Sequence, residues 1–535
     1  MSNGFYKILP RAPLPKGGAE EVGNKAWNLM RMTAAGLPVP AGFVLPTSWC
    51  KAFRLEKHQE LERSLTAGIA ELESATGLVF GSPRRPLLVS VRSGAAVSMP
   101  GMMETVLDVG MNEETVEGLI GDTGNPRLAW DCYRRFIQGY AGVVAQLPRA
   151  PFDKLILQAL AGAGVQKESE LDYASLRSLT RDMQGCYREL AKAPLPENPR
   201  EQLEQAAIAV LRSWNAPKAV SYRNANRIED DRGTAVTVQR MVFGNAGGAS
   251  GSGVAFTRNP SSGERELYLD FEFNAQGEDV VAGRVALSGE ERLRRMLPSA
   301  WKQLEEAART LEALFRDTQD FEFTIQQGTL CLLQSRSAKR THWAALRIAV
   351  DQVDEGLISP EQALAHLDGI DLTSIVRTRF QNAPAEPLAR AQVASMGVAS
   401  GAIALDSDAA LRMARAGSPV ILVRRETDTA DIDGMMNASG ILTGSGGRTS
   451  HAAVVARQLG KVCLVACADL EIELERRSCR IGKQNLREGE FLSLDGNDGS
   501  IYAGKLDVIA ERPDIELAKI GGWRTVSASL PACAF

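Results

Sequence analysis

Apolar residues recur every three or four positions through residues 111 to about 215, as in NPRLAWDCYRRFIQGYAGVV at 125–144. That spacing lines one face of a helix and predicts a helical segment there. From residue 1 to about 110 strand and turn signals dominate instead, including GLPVPAGFVL and RPLLVSVRSG. From 234 strand patterning returns in TAVTVQRMVFG, then the glycine-rich NAGGASGSG, then VAFTRNP and ELYLDFEF. DFEFTIQQGTLCLLQSRS at 320–337 predicts a hairpin with Gln327 and Gly328 in its turn. Residues 343–368 predict two helices, the second opened by Ser359 and Pro360. QNAPAEPLARAQ at 381–392 reads as a linker, and a smaller α/β unit follows, ending near LSLDGNDGSIYAG at 492–504. The last thirty or so residues carry no clear pattern, and no internal repeat is present.

Several stretches could do chemistry. Neither G-x-x-x-x-G-K-[ST] nor G-x-G-x-x-G occurs, so any nucleotide must be held in another way. In the 320–337 hairpin, alternation puts Asp320, Glu322 and Thr324 on one face, and Leu332, Gln334 and Arg336 share a face on the return strand. A carboxylate, an amide oxygen and a guanidinium would then converge, a set that suits Mg²⁺ shared with phosphate oxygens; the other reading is a solvated sheet face with one ordinary ion pair. In LLVSVRSGAAVSMPGMMETV an apolar strand delivers Arg92 into a Ser-Gly loop able to grip phosphates, with Met99, Met102 and Met103 as core filler. GNAGGASGSG at 244–253 reads either as a close approach or lid over a ligand or as a hairpin tip. His451, in GGRTSHAAVVARQLGK, opens a helical run that Gly460 closes, with Thr449 and Ser450 in the N-cap region. Free N–H groups there favour an anion. By its own surroundings His451 could be a nucleophile, a metal ligand or a structural cap.

Length and charge narrow the classes. The chain has 535 residues, 44% hydrophobic and 24% charged, enough for three or four folding units by the rule of roughly 150 residues per unit. A formal net charge of −4 gives no footprint for nucleic acid or an anionic membrane. No apolar run approaches the roughly 18 residues of a membrane span. MSNGFYKILPRAPLPKGG lacks the apolar core of a signal peptide, so a cytoplasmic location is expected. The eight cysteines lack the paired spacing of a zinc site and are expected to be mostly buried small hydrophobes.

SVRSGAAVSMPGMMETVLDVGMN, GTAVTVQRMVFGN, GVAFTRNPSSGERELY, NAQGEDVVAG, DFEFTIQQGTLCLLQSRSAKRT and GGRTSHAAVVARQLGK occur in one order. Together they closely resemble the pyruvate, phosphate dikinase family, over most of residues 15–505. The resemblance implies an α+β and α/β multidomain chain. An ATP-grasp-type nucleotide-binding domain would span 1–342, with the helical insert at about 111–215. A helical segment and linker would follow over 343–392, a swivelling β/β/α phosphohistidine domain over 393–506, and a tail over 507–535.

The same resemblance makes His451 the phosphorylated histidine, with ATP as donor, Mg²⁺ as cofactor and AMP as product. Lys25 and Arg92 match nucleotide- and phosphate-binding positions; Glu322, Gln334 and Arg336 match the metal and phosphate group, with Glu322 and Gln334 on the metal. Glu278 and Asp279 fall where the family contacts nucleotide, and Thr449 matches a regulatory phosphorylation site of some plant members. Departures include Arg448 where dikinases usually carry methionine, TGSGG for TARGG, and YLDF for YGEF. The family's C-terminal barrel, which binds pyruvate and phosphoenolpyruvate, has no counterpart after residue 505. The expected acceptor is therefore a separate pyruvate-carrying protein or another small molecule, with inorganic phosphate or water taking the second phosphoryl group. A homodimer is compatible with the sequence. The alternative is a decayed, regulatory nucleotide-binding protein, which loss of Glu322, Gln334, Arg336 or His451 would have favoured; all four are present.

Overall fold

A computed structural model describes residues 4–52, 58–97, 99, 104–230, 232–277, 289–428, 431–447 and 450–529. The chain forms two compact units, Met1–Gly251 with Thr324–Ser335, and Ser252–Phe323 with Arg336–Phe535. The first unit is built on an antiparallel sheet in the order Tyr6–Ile8, Gly42–Leu45, Ala235–Arg240, Val89–Gly94, Thr105–Val109. Phe43, Val89, Val91, Val236 and Val238 of these strands share one core with Trp130, Tyr133, Phe136 and Leu203 of the helices.

The helical segment is present as Glu113–Thr123, Pro126–Val143, Ala150–Ala163, Tyr173–Ala191, Pro199–Ser213 and Pro217–Asn226. Local chemistry sets its starts. The Asn112 side chain accepts from the Thr115 N–H at 2.8 Å, and the Thr115 hydroxyl accepts from the Asn112 N–H at 2.8 Å, a reciprocal cap. Asn125, Asp172 and Asn198 cap three later helices, with Pro126 and Pro199 in first turns where no N–H is needed.

The region before residue 110 departs from its strand-and-turn reading, because it also holds the helices Gly18–Ala34 and His58–Thr76. The first buries Val22, Ala26, Leu29 and Thr33 at helical spacing, but a kink at Gly23 (φ 76°) breaks the period. Gly23 tolerates no side chain: a Cβ there would lie 2.1 Å from the Gly94 carbonyl oxygen.

The hairpin strands Gln319–Gln326 and Thr329–Ser337 turn on Gln327 (φ 48°) and Gly328 (φ 78°), as expected for a two-residue loop. They belong to a sheet in the order Thr329–Ser337, Gln319–Gln326, Gly251–Phe256, Tyr268–Phe273. The chain crosses between its two units within this hairpin. The glycine-rich stretch is neither all lid nor all hairpin tip, since its end forms the buried strand Gly251–Phe256. There Gly253 leaves room for close packing: a Cβ would sit 2.5 Å from both the Asp270 carbonyl oxygen and the Phe323 ring. Gly253→Ala is expected to destabilise the protein by about 1–3 kcal/mol through overpacking. Thermal denaturation reads this, and an unchanged midpoint would contradict the close approach.

The rest of the second unit centres on an eight-stranded sheet. Its order is Ala389–Arg390, Ser500–Ala503, Phe491–Asp495, Val398–Ala404, Val420–Arg424, Gly440–Thr443, Val462–Val465, Gln392–Ser395. The four strands from Val398–Ala404 to Val462–Val465 run parallel, joined by the helices Ser407–Arg415, Ile432–Asn437 and His451–Gln458. Alternate strand residues feed two cores. Val420, Leu422, Ile441 and Cys463 pack with Ala409, Met435, Ala453 and Ala456 of the helices. Ile421, Val423, Leu442 and Leu464 pack with Cys479, Ile481 and Leu486 of a three-stranded sheet. Three layers result. Burial pushes the Cys463 thiol up to about 12 and the Cys467 thiol up to about 11, so both behave as small hydrophobes.

Two further readings are corrected. The end of the 381–392 stretch is not linker: Ala389–Arg390 and Gln392–Ser395 are strands of the large sheet. The patternless tail holds regular structure over much of 508–529. Val508–Glu511 pairs antiparallel with Arg377–Phe380, and the helix Asp514–Ser529 packs Ile520 against Leu346, Ala349 and Ala363. Lys519 Nζ lies 2.5 Å from Asp354 Oδ2, at the end of the first of the two expected helices, His342–Asp354 and Pro360–His366. Among the described residues no helix is long and apolar enough to cross a membrane.

Candidate functional site

In the first unit Arg92 lies within the strand Val89–Gly94, paired with Thr105 and Thr237, and not in the loop after it. Lys25 arrives at the same strand end. The kink at Gly23 lets its helix close on Gly94, and the Asn24 N–H donates to the Ala95 carbonyl at 2.9 Å. A Cβ built on Gly94, which shares a strand face with Arg92, would lie 3.8 Å from Lys25 Cβ. The buried Thr237 hydroxyl, 4.0 Å from that point, has no hydrogen-bond partner among the described residues. Two cationic residues and an unsatisfied hydroxyl thus occupy one strand end, a setting that suits an anionic oxygen.

Gln334 lies half-buried on Thr329–Ser337. Its strand is fixed on both sides of it. Asn28 Nδ2 donates to the Ser335 carbonyl at 2.9 Å, and the Leu332 N–H donates to the Pro38 carbonyl at 2.8 Å. Asn28 belongs to the same helix as Lys25.

In the second unit, Phe321 and Phe323 are buried while Glu322 between them is half-buried. Two residues of the expected faces pair with each other. Arg336 Nη2 lies 2.8 Å from Asp320 Oδ2, a pairing that sequence reasoning did not assign although it placed both residues on these faces. Burial pushes the Asp320 carboxyl up, while the Arg336 guanidinium beside it pulls the other way; Glu322 and Arg457 act on the same group. Arg457, on the helix His451–Gln458, was also missed; its one sequence signal is a lone charge in an alanine- and valine-rich helix.

His451 is the first residue of its helix. The helix follows the glycine loop after Gly440–Thr443 and leads into the parallel strand Val462–Val465. Its N-terminus therefore lies at the carboxyl ends of parallel strands, where open α/β sheets receive ligands. Ser450 is the N-cap residue but makes no side-chain cap, and its buried Oγ has no hydrogen-bond partner among the described residues. The Ser450 side chain thus leaves the first-turn N–H groups uncapped. At the other end Gly460 (φ 64°) lets the Lys461 N–H reach the Ala456 carbonyl at 2.9 Å. Glu278, Asp279, Arg448 and Thr449, with Met102 and Met103, lie outside the described residues.

Two family profiles match the chain. A profile of the pyruvate phosphate dikinase AMP/ATP-binding domain matches residues 54–289. A profile of the mobile domain of PEP-utilising enzymes matches residues 416–499. Pyruvate, phosphate dikinase of Clostridium symbiosum is 44% identical over 493 residues, covering 91% of this chain and 56% of that protein. The Rhizobium meliloti (strain 1021) pyruvate, phosphate dikinase is 41% identical over 538 residues, 96% of this chain and 59% of the relative. Pyruvate, phosphate dikinase 2 of Zea mays is 42% identical over 501 residues, with 92% and 56% covered. The matches define the class, an ATP-dependent phosphotransferase family. Within it, the chain belongs to the pyruvate, phosphate dikinase family. It spans between 56% and 59% of the length of these three relatives.

Proposed function

We propose that these residues carry the ATP half of a dikinase reaction. An ATP-grasp-type domain binds MgATP, and His451 attacks it and takes a pyrophosphoryl group as AMP leaves. The outer phosphoryl group passes to inorganic phosphate or water, leaving His451 with the β-phosphoryl group. The mobile domain then swings to an acceptor. The observation that best supports this is His451 at an N-terminus without a side-chain cap, beside a glycine loop.

Lys25 and Arg92 bind phosphate oxygens, and Arg336, oriented by Asp320, neutralises charge that develops during transfer. Glu278 and Asp279 contact nucleotide. Among the described residues no group of three His, Cys, Asp or Glu side chains converges to hold a metal. A carboxylate and an amide, Glu322 and Gln334, fit a Mg²⁺ that takes its other ligands from phosphate and water. Mg²⁺ would supply charge neutralisation and alignment of the phosphates. The acceptor is a small molecule or a pyruvate-binding protein, held by residues other than these.

The 535-residue chain, given MgATP labelled at the β position, is expected to acquire an acid-labile, base-stable label and to release AMP. It should form little phosphoenolpyruvate from pyruvate until an acceptor protein or the right small molecule is added. Robust phosphoenolpyruvate synthesis by this chain alone would overturn the separate-acceptor reading, because pyruvate would then bind within it.

A further inference from the structure

Arg457 lies six residues after His451 on the same helix and is only 3% exposed, rare for an arginine. Its Nη1 donates to the Ala394 carbonyl at 2.8 Å, and its guanidinium lies 5.4 Å from the centre of the Phe256 ring. Phe256 ends the strand Gly251–Phe256, which neighbours the strand carrying Asp320 and Glu322. The charge of Arg457 also acts on Asp320, the partner of Arg336.

The same point is gripped from a second direction. Ser261 Oγ donates to the Ala394 carbonyl at 3.1 Å, and Tyr268 Oη donates to the Val393 carbonyl at 2.7 Å. Both carbonyls belong to Gln392–Ser395, an edge strand of the eight-stranded sheet. A planar guanidinium can stack on a ring and donate at its edge at once, which a lysine cannot do.

We infer that Arg457 is a positioning residue. With Tyr268 and Ser261 it registers the helix His451–Gln458 against the sheet that carries Asp320, Glu322 and Arg336, so that His451 meets a phosphoryl donor held there. This rests on the phosphohistidine reading above. The helix has eight residues, about 12 Å by its rise, so an error at its fixed end shifts His451 directly. A misplacement of about 1 Å costs on the order of 10²-fold in rate.

The test compares two donors on the full chain. MgATP must be held by the protein. Phosphoramidate is small and reacts without a docking site: its P–N bond breaks, ammonia leaves, and the phosphoryl group bonds to the imidazole nitrogen. Arg457→Met should lose on the order of 10²-fold in labelling rate from MgATP and nothing from phosphoramidate. Arg457→Lys should recover part of the loss. Tyr268→Phe, which leaves the His451 helix itself intact, should slow only the MgATP reaction, by up to about tenfold.

Equal slowing with both donors means Arg457 only stabilises its helix, and overturns the inference. So does Arg457→Met labelled by MgATP at the wild-type rate. If Arg457→Met does not fold, Tyr268→Phe decides: a wild-type rate with MgATP overturns the inference. Wild-type protein labelled by phosphoramidate but not by MgATP overturns the underlying reading, and this inference with it.

Discussion

His451→Ala should leave the protein unable to take an acid-labile, base-stable label from β-labelled MgATP, and should end the AMP formation that accompanies it. The expected effect is a complete loss, because the substitution removes the atom that forms the bond. Acid lability with base stability identifies a phosphorus–nitrogen bond and excludes phosphoserine, which matters beside Thr449 and Ser450. The substitution should leave the fold unchanged. The helix start is set by the glycine loop and by Ala452 and Ala453, which pack into the core, and alanine is a good helix former. Retention of the label in His451→Ala would move the acceptor elsewhere. Loss of the label together with loss of the far-ultraviolet circular dichroism signal would make the loss one of structure.

What was legible in the sequence follows from how local each signal is. The caps at Asn112, Asn125 and Ser359 satisfy N–H groups within the same few residues, so such starts are written locally, and the one at Ser359 was read directly. Gln327-Gly328 likewise sets its turn by itself. Helix Gly18–Ala34 was hidden because Gly23 breaks its period, and the reason for Gly23 is the carbonyl of Gly94, far along the chain. The terminal helix was hidden because Ile520 buries against residues near 346 and 363 while Ile515 stays exposed, so no clean stripe results.

The candidate site divides in the same way. Alternation put Asp320, Glu322 and Arg336 on functional faces, but the bond between Asp320 and Arg336 depends on cross-strand register. Arg457 reads locally as a solvated arginine. It is buried only because Phe256 and Ala394 come to it from distant parts of the chain.

Glu322→Ala is expected to slow labelling of His451 from MgATP by about 10²–10³-fold, the usual cost of removing preorganised charge stabilisation. The argument runs through its neighbours. Asp320 is bonded to Arg336, so its charge is already matched within the sheet. Glu322 stands on the same face, half-buried between two buried phenylalanines, and its charge is felt by both members of that pair. Its carboxylate suits a hard cation that shares its other ligands with phosphate and water. The loss should therefore shrink as Mg²⁺ is raised, and it should vanish with phosphoramidate, which needs no bound MgATP. Circular dichroism should match the wild type, since Phe321 and Phe323 keep the strand in its core. Near-wild-type labelling from MgATP in Glu322→Ala would remove this carboxylate from the metal site and leave it an ordinary polar residue on a sheet face.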